Sequence, residues 1–72
     1  MYYILERWDG TLWVSTNLIL KGDYRKHICL MDTLAKDGIE TRARRISAIE
    51  AYEAQENGAR VMQAPKVLKN AG

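Results

Sequence analysis

Asp9-Gly10 stands between two runs rich in aromatic and β-branched residues, Tyr2 to Trp8 and Thr11 to Thr16. Asp-Gly tolerates the positive φ that a tight two-residue turn needs at both central positions, so the spacing predicts a β-hairpin over about residues 2–16. With Asp9-Gly10 as the loop, Trp8 pairs with Thr11, Arg7 with Leu12 and Glu6 with Trp13. Alternation then divides the side chains between two faces. Tyr3, Leu5, Leu12 and Val14 share one face, with Arg7 at its edge, and read as core. Tyr2, Ile4, Glu6, Trp8, Trp13 and Ser15 share the other.

Beyond the hairpin, the alternation Leu12, Val14, Thr16, Leu18, Leu20 favours a longer second strand over an early helix start. Asp23 is placed to cap a helix over 23–37, in which Tyr24, His27, Ile28, Met31, Leu34 and Ala35 recur along one face, and Asp37-Gly38 supplies the stop. Ser47-Ala48-Ile49-Glu50 matches a capping box, in which the serine oxygen and the glutamate carboxylate each accept from an otherwise unpaired backbone N–H. Asn57-Gly58 ends that second helix, expected over 48–57. Ile49 and Tyr52, with Ala48 and Ala51, are expected on its buried side, and Glu50, Glu53 and Glu56 on its solvated side. Residues 39–46 and 59–64 are candidate strands, the latter interrupted by Pro65. The pattern is α+β: an N-terminal β-hairpin, two short helices and one or two further strands. Residues 1–72 read as a single small domain with a frayed tail over 66–72.

Seventy-two residues leave a thin core, because a chain this short buries only about 60% of its unfolded surface. Gains from burial and losses from ordering then nearly cancel, so a partner or a second copy of the chain is expected to add stability. The one cysteine, Cys29, cannot form an internal disulfide, whereas a secreted domain of this size usually carries about two to four. A reducing, cytoplasmic setting is therefore expected. Residues 1–7 lack the basic-then-apolar pattern of a signal peptide. The longest aliphatic run, Leu18-Ile19-Leu20, is far short of the roughly 20 residues of a membrane span, and the chain reads as soluble with no membrane partner.

Catalytic motifs are sparse. His27 and Cys29 are the sole residues of their types, and at i, i+2 on a helix they do not face each other. Zinc needs three or four converging ligands, so neither a metal nor another cofactor is expected. His27 reads as a structural residue at the edge of the helix's apolar face. Cys29 falls on the opposite side, among Arg25, Thr33 and Lys36, and reads as an accessible thiol. The glycines are scattered punctuation rather than a phosphate-cradling loop. Enzyme activity is not expected.

Two surface features stand out instead. Tyr2, Ile4, Trp8 and Trp13 lie together on the second hairpin face, and two short helices do not easily cover both faces of a sheet. Large exposed aromatics anchor interfaces, so these four are candidate partner-binding residues. They are core if each face carries a helix. The second feature is charge. The net charge is +2 overall, but residues 21–46 carry +3 and 59–72 carry +3 on either side of an acidic segment, 47–58, at −3. Arg42, Arg44 and Arg45 form the densest cluster, with Arg25 and Lys26 as candidate neighbours. They read as a solvated edge or a contact for an acidic partner or, alternatively, as contacts for nucleic acid phosphates. The acidic second helix opposes docking on DNA.

In size, sparse chemistry and mixed α/β pattern the chain resembles small accessory proteins of phages and mobile elements, which often bind and block a host enzyme. The resemblance implies an inhibitor or regulator that acts by occupying a protein partner's surface. The alternative is a small nucleic-acid-binding regulator that uses the arginine cluster.

Overall fold

The computed structural model describes residues 1–63. Ala64, Pro65 and the segment read as a frayed tail, 66–72, lie outside the described residues. The arrangement is α+β: a four-stranded mixed sheet with two helices, beginning with the hairpin. The strands are β1 (Tyr2–Trp8), β2 (Trp13–Lys21), β3 (Thr41–Ile46) and β4 (Arg60–Gln63), in the spatial order β3-β1-β2-β4. β1 is antiparallel to both β2 and β3, while β4 runs parallel to β2. A single 3₁₀ turn, Tyr24–His27, leads into α1 (Ile28–Lys36), and α2 (Ala48–Glu56) joins β3 to β4.

The topology assigns one helix to each face. β2, β3 and β4 are mutually parallel, so β2-α1-β3 and β3-α2-β4 are both crossover connections, and they run in opposite directions across the sheet. The strong right-handed preference of such connections demands opposite faces for the two helices. Leu30, Met31 and Leu34 of α1 pack on Tyr3, Leu5 and Leu20. Ala51 and Ala54 of α2 pack on the other face, with Ile19, Ile46, Tyr2 and Ile4. The expectation that two short helices would leave one face open is therefore corrected. The core is thin on both sides, its buried apolar side chains among the described residues being Tyr3, Leu5, Ile19, Leu20, Ile46 and Ala51.

The hairpin forms one residue out of phase with its expected loop. Trp8 pairs with Trp13, and Asp9 N–H donates to the Leu12 carbonyl at 3.1 Å, which leaves Gly10-Thr11 as the loop. Asp9 is better used beside the turn than in it: its Oδ1 accepts from the N–H groups of Thr11 at 2.7 Å and Leu12 at 2.8 Å. Gly10, at φ 102°, takes a conformation that side-chain-bearing residues rarely adopt. The shift moves pairing partners by two, so the division into faces survives within the strands, but Leu12, expected in the core, falls in the turn and is exposed. Further along, β2 holds two extra residues, because Glu6 pairs with Ser15 but Leu5 with Leu18. Asn17 adopts φ 59° in this bulge, and the Thr16 hydroxyl donates to the Leu5 carbonyl at 2.8 Å. That bond occupies an acceptor at the point where the ladder is interrupted.

Ser47 opens α2 as expected, with the serine half of the capping box formed and the Glu50 carboxylate turned toward Arg44 instead. The helix expected over 23–37 is split, because Asp23 caps the 3₁₀ turn and α1 begins only at Ile28, where His27 makes no side-chain capping bond. Asp23 accepts from Arg25 N–H at 3.0 Å, and Ser47 Oγ accepts from Glu50 N–H at 3.1 Å. Gly38 and Gly58, at φ 80° and 96°, end the helices. The buried sides differ from expectation. Tyr24, Ile28 and Ala35 are exposed, and His27, Leu30, Met31 and Leu34 face inward. On α2, Ile49 is 71% and Tyr52 65% exposed, while Ala51 is buried. Small residues let this helix lie close to the sheet, so its large apolar side chains point away.

Candidate functional site

α2 covers only one end of its sheet face. Tyr2 and Ile4 pack against the cluster of Ile19, Ile46 and Ala51 beneath it. The hairpin end of the same face, past Ile4, carries Glu6, Trp8, Trp13, Arg42 and Arg44, placed there by alternation and by the β1–β3 register that sets Glu6 opposite Arg42 and Ile4 opposite Arg44. β4 pairs only with Leu18–Lys21, so the hairpin tip stands clear of it. Trp8 N–H donates to the Glu40 carbonyl at 2.8 Å, which holds the β1 end against β3.

These side chains form one stacked array. The rings of Trp8 and Trp13 meet edge to face with centroids 5.4 Å apart, and the Arg42 guanidinium lies 4.5 Å from the Trp13 centroid. Such geometry uses the attraction of a ring edge or a cation for an aromatic face. Arg42 Nε also donates to Glu6 Oε1 at 2.8 Å, and Arg44 Nε to Glu6 Oε2 at 3.4 Å. The Glu6 side chain is 11% exposed. The bond from Arg42 is the main influence holding its carboxyl below the ordinary glutamate range; burial opposes this, and the Arg42 and Arg44 charges and the Arg44 bond add to it. Arg44 Nη1 lies 4.0 Å from Glu50. Trp8 remains 39% exposed and Trp13 half-buried, so the array is open to contact while its geometry is fixed from below.

The arginine cluster is divided by the fold. Arg42 and Arg44 share the tryptophan face, whereas Arg45 pairs with Tyr3 and belongs to the α1 face. Arg25 is bound to Asp23 at 2.6 Å. Its side-chain bond, reinforced by its backbone N–H, draws the Asp23 carboxyl down to about 2. Lys26, in the 3₁₀ turn, is exposed. The five cations therefore do not form one continuous patch. Bringing Arg42 to both Glu6 and the Trp13 ring needs β1 to lie between β2 and β3, a long-range order that local spacing does not disclose.

His27 is buried, with Nε2 donating to the Lys21 carbonyl at 3.1 Å and Nδ1 without a partner. Cys29 is exposed. Among the described residues, no group of three or more His, Cys, Asp or Glu side chains could hold a metal ion, and no helix is long and apolar enough to cross a membrane. The chain matches no protein-family model, no curated protein sequence and no solved structure.

Proposed function

We propose that the chain is a non-enzymatic protein-binding module that acts by occupying a protein partner's surface with the hairpin end of its sheet. The observation that carries this reading is the Trp8–Trp13–Arg42 array, built on a nearly buried carboxylate at an end of the sheet that α2 does not cover. Trp and Arg dominate the energetically decisive positions of protein interfaces, and rigidity lowers the entropy lost on docking. Glu6 supports a protein partner over nucleic acid, because it neutralises part of the charge that Arg42 and Arg44 would offer to phosphates. Arg25 is likewise engaged by Asp23. Action as an inhibitor or regulator in a cytoplasmic setting fits this mode of binding, and a second copy of the chain is one protein that the face would accept.

Capture from lysate of the native host, before and after nuclease, tests the reading. Wild-type protein should retain a nuclease-resistant protein partner that Trp8→Ala and Arg42→Ala lose and Ile49→Ser keeps. Binding that disappears with nuclease, or weakens steeply with salt in a log–log plot, would transfer the function to nucleic acid.

A further inference from the structure

The opposite face of the sheet carries a second feature, independent of the tryptophans. Below the end of the sheet packed by Tyr3 and Leu20, a cleft of about 480 Å³ opens between α1 and the strands. Its apolar floor comes from Leu5, Leu18, Leu30 and Leu34, and Arg7 and Arg60 line it from β1 and β4. Neither arginine has a carboxylate within 4.0 Å among the described residues, in contrast to Arg25, Arg42 and Arg44, which all do. The β2 bulge borders the cleft through Thr16 and Asn17, where a non-glycine residue holds φ 59°. Bulges are over-represented next to functional sites, where they re-aim side chains, and asparagine is among the side chains that take the left-handed conformation most readily.

We infer that this cleft binds a small amphipathic carboxylate, its hydrocarbon chain on the leucine floor and its head group on Arg7 and Arg60. The volume lies within the roughly 300–1,000 Å³ typical of small-ligand sites, which combine apolar walls with a few polar groups. Two guanidinium groups with no carboxylate within 4.0 Å among the described residues supply the complementary charge, and Arg pairs with carboxylate through two parallel bonds. An uncharged apolar ligand would leave those cations unused, and a cationic one would be repelled. The head group is accordingly an anion.

Decanoate, titrated below its micelle concentration into ¹⁵N-labelled full-length protein, provides the test. Saturable amide shifts are expected in Leu5, Leu18, Leu30 and Leu34, and little change in Trp8 and Trp13. Decyltrimethylammonium, with the same chain and the opposite charge, should bind far more weakly, and acetate should give no saturable shifts. Arg7→Met should weaken decanoate binding about tenfold while leaving the amide spectrum of the unliganded fold in place. Arg60→Met provides the same test from the other side of the cleft if the first variant unfolds. Absence of saturable shifts, shifts confined to another surface, equal binding of the cationic amphiphile, or unchanged affinity in both arginine variants would each overturn the assignment.

Discussion

Replacing Glu6 by glutamine removes one charge from the centre of the array while preserving the side chain's shape. A hydrogen bond to a charged group contributes about 1.5–3 kcal/mol when the alternative is an unpaired group. Arg42 and Arg44 are about half exposed, so water compensates part of that loss, and a net cost of about 1 kcal/mol is expected for Glu6→Gln. Glu6→Ala, which removes every acceptor, should cost about 2 kcal/mol. Urea denaturation as a function of pH measures both. Because the folded state depresses the Glu6 pKa, its contribution is complete above the ordinary value of 4.5 and is lost as pH falls through the lower folded value. Wild type and Glu6→Gln should therefore differ at pH 7 and converge below pH 4.5. Asp9 and Asp23, also held low, titrate in both proteins and cancel in the difference. Freed from Glu6, Arg42 should also leave the Trp13 ring, with a change in tryptophan emission. Equal stability at pH 7, or a difference that persists undiminished in acid, would refute the role assigned to this carboxylate.

Ser47→Ala should destabilise the protein by about 0.5–2 kcal/mol through loss of the N-cap bond. Glu50→Ala should cost under about 0.5 kcal/mol, since its carboxylate turns toward Arg44 across an exposed 4.0 Å gap. Comparison of denaturation midpoints separates this half-formed cap from a complete capping box. Ile49→Ser and Tyr52→Ser should each change stability by under about 0.5 kcal/mol, as exposed substitutions do. Losses of about 3 kcal/mol, the scale of core truncations, would instead place these side chains in the core.

The hairpin, both helices and the α+β class are legible locally, because turn dipeptides, caps and stops act over a few residues. Asp9-Gly10 marks the hairpin but not its phase, since aspartate serves equally well beside a turn, where it can accept from two backbone N–H groups. Helix orientation is less legible. Ile49 and Tyr52 have the spacing of a buried stripe, yet close packing on the sheet selects Ala51 and Ala54. The strand candidates after each helix hold, as β3 and β4. Their order does not follow from their patterns, and that order decides which face each helix covers. It also sets Arg42 opposite Glu6 and within reach of the Trp13 ring, although Trp13 and Arg42 are 29 positions apart along the chain. The paired tryptophans are thus readable from alternation, whereas the carboxylate that organises them with the arginines is a product of topology.

Trp8 tests the central claim most directly, because it is the more exposed member of the array and its removal affects binding and folding differently. Affinity for the captured partner and urea stability should be measured side by side for wild type and Trp8→Ala. An interface anchor loses about 2 kcal/mol or more of affinity, while a ring that is 39% exposed should cost only about 1 kcal/mol of stability. A stability loss of about 3–5 kcal/mol with affinity retained would make Trp8 a core residue and contradict the account.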